Sequence, residues 1–304
     1  MKQTPNQNIS EVYKITWIGL FLNLFLTSLK VVVGYMSNSK ALIADGVHSL
    51  SDCVTDFAIL LGGRYWFAPA DEEHPHGHGR LELLVTVFIG IVLGFVGLLL
   101  SYKAILPIVS REIPDINSLP VISVAFLSFV SKEWLYRYTV KVGKRVHSSA
   151  LIANAWHHRS DSLSSLPVLI AGIAVLIDPV YRVLDPVATV IIGVFIMYSA
   201  VVLVLPALNH LIDRGVSKEE INEIRDLAIS MDGVKDVHAI RSRHIGGGIS
   251  VDLHLLVEPC LSVKEGHTIA GKVKNKILRE KENIVDVLIH VEPYEETQDP
   301  RYRT

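Results

Sequence analysis

The stretch Ala44-Asp45-Gly46-Val47-His48-Ser49-Leu50-Ser51-Asp52 lies within residues 41–64, a run long and apolar enough to span a bilayer. Its His-x3-Asp core returns in a second apolar run as His157-x3-Asp161, inside Ala153-Asn154-Ala155-Trp156-His157-His158-Arg159-Ser160-Asp161. Residues four apart share one face of a helix, one turn from each other. Ionisable groups are costly in hydrocarbon, and where they occur they mark an ion path or a binding site. Two imidazoles and two carboxylates supply a four-coordinate shell for a divalent metal. Asp45 and Asp56 extend the first motif at spacings of three and four, and are expected behind the ligands or lining a cavity. A polar stripe facing a water-filled cavity is the plainer reading. It leaves several buried charges uncompensated, whereas a metal compensates them together. His158 and Arg159 project from other parts of the helix and are read as structural.

Half of the 304 residues are hydrophobic and 20% are charged, with a mean hydropathy of +0.37. That balance excludes an ordinary soluble protein and points to several membrane spans. The formal charge of −2 offers no basis for nucleic-acid binding. The two cysteines, Cys53 and Cys260, lie in segments of different character, so no disulfide framework is expected and Cys53 reads as a small core residue. No cleavable signal peptide is expected, because the first apolar run is long enough to remain as a helix.

Six runs approach the length of a spanning helix: residues 13–35, 41–64, 81–106, 119–138, 150–177 and 181–205. Pro107, Pro120, Pro179 and Pro206 fall at or near their boundaries, and Pro167 is expected to kink the fifth run. With the N-terminus inside, the outer loops hold Lys40, Arg111 and Arg182. The inner segments hold Lys2, Lys14, Arg64, Arg80, Arg137, Lys141, Lys144, Arg145, Arg214 and Lys218. The positive-inside rule then puts both termini in the cytoplasm, on a multi-pass protein of the plasma (inner) membrane.

From residue 213 the chain changes character. The expected division is a transmembrane transport domain over 1–212 and a cytoplasmic domain over 213–304. Ser217, followed by Glu219 and Glu220, opens an amphipathic helix to about residue 231. Residues 234–244 and 249–257 read as strands joined at Gly246-Gly247-Gly248. A helix over 263–280 and a strand over 285–291 complete an α-β-β-α-β order, an α/β domain following a membrane all-α domain.

Two further clusters carry metal-binding side chains. Between the second and third runs, Asp71-Glu72-Glu73-His74-Pro75-His76-Gly77-His78-Gly79-Arg80 gathers three histidines beside an acidic run. The C-terminal region holds His238, His244, His254, His267 and His290, and Glu292 shares a strand face with His290. His244 is read as a surface residue. Thirteen histidines are too few for a membrane di-iron enzyme.

These residues resemble the cation diffusion facilitator family. The likeness covers nearly the whole chain and rests on the nine-residue motifs at 44–52 and 153–161, the Gly77-His78-Gly79-Arg80 run and the C-terminal element order. The resemblance implies a homodimeric secondary transporter, not an enzyme, that exports a divalent transition metal across a lipid bilayer in exchange for protons. It implies six spanning helices and a ferredoxin- or metallochaperone-like cytoplasmic domain. Its transport site maps onto His48, Asp52, His157 and Asp161, and its loop site onto Asp71, His74 and His78. Its cytoplasmic binuclear site maps onto His238, His254, His267, His290 and Glu292, the last being Asp in many relatives. Arg80 and Asp213 stand where relatives hold a charge pair near the dimer interface. No prosthetic group is implied; the metal is both substrate and regulatory ligand.

A mixed N2O2 shell suits Zn²⁺ first, with Fe²⁺ as the main alternative and Mn²⁺, Cd²⁺ or Co²⁺ also handled within the family. Two readings of another class are weaker. A membrane metalloenzyme needs an open coordination position and a nearby base; Asp45 offers a base, but no nucleophile or substrate pocket is evident. A membrane-anchored metal sensor leaves the intramembrane His/Asp pairs without a role.

Overall fold

A computed structural model of the chain describes residues 5–66, 68–146, 149–245 and 248–295. It divides into two compact units, one drawn from residues 1–60 and 88–203 and the other from 61–87 and 204–304. The helices run as α1 (Pro5–Met36), α2 (Lys40–Trp66), α3 (Arg80–Ser110), α4 (Ser118–Val146), α5 (Ser149–Ser164), α6 (Leu166–Ile177) and, after a 3-10 turn at Pro179–Val183, α7 (Leu184–Leu211). Among the described residues, five segments are long and apolar enough to cross a membrane: 14–36, 80–110, 118–145, 158–177 and 179–211. Helix α2 has the length, at 27 residues, but carries Asp45, His48, Asp52 and Asp56.

The fifth apolar run is two helices rather than one kinked helix. The chain leaves α5 at Ser164, turns at Ser165 and restarts with Pro167 in the first turn of α6. Proline has no N–H to continue the α5 ladder, but its fixed φ suits a helix start. Pro107 and Pro206 do not end their helices as expected; α3 and α7 continue to Ser110 and Leu211. A proline late in a spanning helix removes one ladder bond, which neighbouring groups can re-satisfy.

The first unit is packed inside out relative to a soluble protein. Phe21, Phe25, Phe88, Phe95 and Ile170 are exposed, whereas Lys30, Lys132, Asp45, His48, Asp161, Ser128 and Ser165 are buried. Apolar side chains facing outward and polar ones inward are what hydrocarbon solvent selects. Small residues let helices close up. A side chain at Gly193 of α7 would meet Ser101 Oγ at 2.1 Å and the Gly97 carbonyl at 2.9 Å. Gly193→Val is therefore expected to destabilise the protein by about 1–3 kcal/mol through overpacking, read as a lower unfolding midpoint in detergent.

The start of α2 is fastened to α7. Ser39 caps the helix, its Oγ accepting the Leu42 N–H at 3.1 Å. The Asp185 carboxylate accepts the Ser39 hydroxyl at 2.5 Å and the Lys40 and Ala41 N–H groups at 2.9 and 3.3 Å. Four free N–H groups open every helix, and an anion there meets the positive end of the helix dipole. Asp185 thus fixes the first turn of the helix that bears His48.

In the second unit α8 (Lys218–Ile229) and α9 (Val263–Glu280) cover a sheet of β1 (Val234–Ile245), β2 (Gly248–Val257) and β3 (Ile284–Pro293). β2 is central, antiparallel to β1 and parallel to β3. The expected α-β-β-α-β order holds, and the strands agree with their expected bounds to within two residues. Ser217 caps α8, and Ser262 with Glu265 forms a capping box on α9. Val251, Leu253, Leu255 and Val257 of β2 are buried against Val273 and Ile277 of α9. His254 therefore lies on the opposite face, since side chains alternate along a strand. The glycine turn at 246–247 lies outside the described residues.

Candidate metal sites

His48 on α2 and Asp161 on α5 are both buried. The charge of Asp161 acts on the His48 imidazole, together with those of Asp45, Lys132 and Lys30. His48 Nδ1 is buried without a hydrogen-bond partner among the described residues. A buried imidazole nitrogen left unpaired is costly, and a metal ion is one group that would satisfy it. Asp52 and Asp56 on α2 and His157 on α5 have side chains outside the described residues. The other two ligands of the expected shell are known here only by their helix positions, each one turn from a described partner.

Asp45 is not open to a metal. Its carboxylate lies 2.8 Å from Lys30 Nζ and accepts the Ser164 and Ser165 hydroxyls at 2.9 and 2.7 Å. Lys30 also donates to Ser49 and Ser165, each at 3.2 Å. Asp45, expected behind the ligands or lining a cavity, is fully buried, and its network ties the break between α5 and α6 to α1 and α2. A second fully buried lysine, Lys132 of α4, stands 3.4 Å from Asp161 Oδ2. Neither lysine was singled out from the sequence, although an ionisable residue inside a spanning run is itself the signal. His158 is buried facing Gly19 of α1, and Arg159 lies over the Tyr136 and Trp156 rings at 4.8 and 5.3 Å.

The loop cluster is formed. Asp71 accepts the His74 backbone N–H at 2.6 Å, and its oxygens lie 3.4 Å from His74 Nδ1 and 3.3 Å from His78 Nε2. One ligand atom from each residue falls within 4.8 Å of the others. The His74 N–H, and after it the charges of His78 and His74, hold the Asp71 carboxyl below its usual range. Gly77 makes the turn possible with φ of 80°. Arg80 and Asp213 are joined at 2.5 Å, half exposed.

Three histidines of the sheet stand in one row. His238 pairs with His254 across β1 and β2, and His254 with His290 across β2 and β3. Adjacent strands lie about 4.8 Å apart, so cross-strand partners bring their rings together. Centroids are 5.2 Å apart for His238 and His254 and 4.9 Å for His254 and His290. Glu292 reaches back along the row to His238 Nε2 and His254 Nδ1, each at 2.9 Å, and to His290 Nε2 at 3.4 Å. His238, His254 and Glu292 offer ligand atoms within 4.8 Å of one another. His267 is not drawn into that group; it is exposed on α9, beside a cleft that Glu292 also lines. His244 stacks on His210 at 4.1 Å, and burial, then the neighbouring His210, lowers its pKa below the ordinary imidazole value. A neutral stacked ring is a packing element.

Comparison with known proteins places both units. The profile described as the cation efflux transmembrane domain matches residues 16–212, and that of the cation efflux protein cytoplasmic domain matches residues 216–294. The chain is 36% identical to the Methanocaldococcus jannaschii transporter MJ0449, over 93% of this chain and 98% of that protein. It is 34% identical to the manganese efflux system protein MneP of Bacillus subtilis, over 92% and 96%. It is 30% identical to the magnetosome protein MamB of a Magnetospira species, over 92% and 94%.

Proposed function

The chain belongs to the cation efflux, or cation diffusion facilitator, family of multi-pass membrane transporters of divalent metal cations, and from that premise we propose that it exports Zn²⁺ from the cytoplasm in exchange for protons, as a homodimer. The observation that carries the transport site is the buried His48, its Nδ1 without a hydrogen-bond partner among the described residues, together with the buried Asp161. With Asp52 and His157 one helical turn away, these two residues complete an N2O2 shell of the kind that suits Zn²⁺. Metal and proton compete for the same atoms, because a ligand imidazole must be neutral and a ligand carboxylate ionised. Loading on the inner side releases protons, protonation on the outer side expels the metal, and rocking of helix groups exchanges the two exposures.

In this reading six helices span the membrane, residues 1–212 form the transport domain, and 213–304 hang in the cytoplasm with both termini. The Asp71/His74/His78 cluster and the His238/His254/His290 row with Glu292 are inner-surface metal sites, His267 contributing from α9 as the domain closes on its ion. They sense cytoplasmic metal and tighten the dimer. Glu292→Gln should weaken Zn²⁺ binding at the row about tenfold or more, measured by titration of the full chain in an Asp71→Ala, Asp161→Ala background. A second reading takes Mn²⁺ as the substrate, on the 34% identity to a manganese efflux protein. Two imidazoles in the shell favour Zn²⁺ over Mn²⁺, which prefers oxygen ligands.

Proteoliposomes holding the protein and an imposed pH gradient test the proposal. Zn²⁺ flux with counterflow of protons is expected, and Mn²⁺ in excess should compete weakly. Mn²⁺ flux exceeding that of Zn²⁺ would overturn the choice of metal, and metal movement with no proton movement would overturn the exchange.

A further inference from the structure

The two buried lysines of the first unit stand in unlike surroundings. Lys30 has a carboxylate at 2.8 Å and two serine hydroxyls at 3.2 Å, so its three ammonium hydrogens all have partners. Lys132 is equally buried, yet its Nζ has no hydrogen-bond partner among the described residues, and it stands 3.4 Å from Asp161 Oδ2. One lysine is locked in place by good geometry. Among the described residues the other has only the charge of a carboxylate proposed as a transport ligand.

An ammonium and a divalent ion compete for that carboxylate at contact distance. Two positive charges a few ångströms apart inside a protein repel by several kcal/mol even at an effective dielectric of about 20. Without any cation beside it, a buried Asp161 carboxylate would in turn be expensive. We propose that Lys132 is a tethered counter-cation of the transport site. It holds Asp161 when no metal is bound, is pushed aside when metal loads, and returns to help expel the metal on the far side. The inference rests on the reading of Asp161 as a transport ligand. It adds a residue of α4 that sets affinity from outside the ligand shell, and it makes metal affinity a compromise between loading and release.

The test uses the full chain in proteoliposomes, with Zn²⁺ as the probe and half-saturating concentration and maximal flux read separately. Lys132→Met and Lys132→Gln remove the competing charge. They should lower the half-saturating Zn²⁺ concentration about tenfold, within the usual 5–150-fold range of coupling between sites, and reduce maximal flux. Lys132→Arg keeps the charge and should stay near wild type in affinity. A merely structural lysine gives no tightening, since its loss raises the half-saturating concentration or leaves it unchanged. If flux falls too low to read in both neutral variants, Zn²⁺ binding to the purified chain in an Asp71→Asn, Glu292→Gln background decides, with tighter binding again required. Failure of both neutral variants to yield folded protein while Lys132→Arg folds would overturn the proposal in favour of a structural role. Asp161→Ala separates the two readings. Transport surviving that change sinks the site assignment. Transport lost in Asp161→Ala with wild-type affinity in Lys132→Met and Lys132→Gln sinks the counter-cation alone.

Discussion

Asp161→Ala and Asp52→Ala should each abolish metal flux in proteoliposomes while leaving a folded, membrane-inserted protein. A four-ligand shell that loses one anionic ligand loses both a donor and a charge. A weakening of at least 100-fold, about 2.8 kcal/mol at 1.4 kcal/mol per tenfold, takes binding out of a useful range. The proton side gives an independent signature. Under the proposed exchange each variant also lacks a group that trades protons for metal, so the pH gradient should no longer be dissipated on adding Zn²⁺. Asp161→Asn refines the expectation, because it keeps the shape and removes the charge. If it transports like wild type, the carboxylate is not a ligand. Retention of half or more of the flux in either alanine variant would refute the site.

The second large effect is on stability rather than transport. Lys30→Met leaves the fully buried Asp45 carboxyl without its cation and, among the described residues, with two hydroxyl donors. Breaking a buried ion pair by removing one partner costs about 3–5 kcal/mol. At roughly 2–4 °C per kcal/mol for a domain of this size, the unfolding midpoint in detergent should fall by roughly 10 °C. The paired variant Lys30→Met with Asp45→Leu removes both charges, and should recover much of that loss. A single variant as stable as wild type would mean that Asp45 finds its compensation elsewhere. The paired variant should still transport poorly, because Ser164 and Ser165 lose the carboxylate that ties the break between α5 and α6 to α2.

The C-terminal domain was legible almost residue by residue. Ser217 and Ser262 mark helix starts, Glu265 completes a capping box, and the alternation from Val251 to Val257 assigns one strand face to the core. These are local signals, and the elements obey them. The membrane motifs were legible for the same reason, since a four-residue spacing is a helical property wherever it occurs. What stayed hidden depends on partners far away in the chain. Asp185 reads as one more polar residue at a helix start, yet its partner Ser39 is 146 positions away. Lys132 and Asp161 meet only because α4 packs on α5 and α6. The register that aligns His238, His254 and His290 needs β3 to lie parallel beside β2, which no local pattern states. His267 sits exposed on α9, and its relation to the row depends on how α9 packs on the sheet, which no local pattern states.

The carboxylate of Asp185 pins the first turn of α2, and the Lys30 contacts to Asp45 and Ser49 hold the same helix on either side of His48. His48 lies about 12 Å along the helix from that anchor and Trp66 about 39 Å, at 1.5 Å per residue. With the Lys30 contacts released, a swing of about 10° about the first turn would shift His48 by about 2 Å and the far end by about 7 Å. Coordination geometry changes by a bond length while the opposite end of the rod sweeps a distance wide enough to open or close a passage. Short travel at the ligands and long travel at the tip are thus two readings of one small rotation.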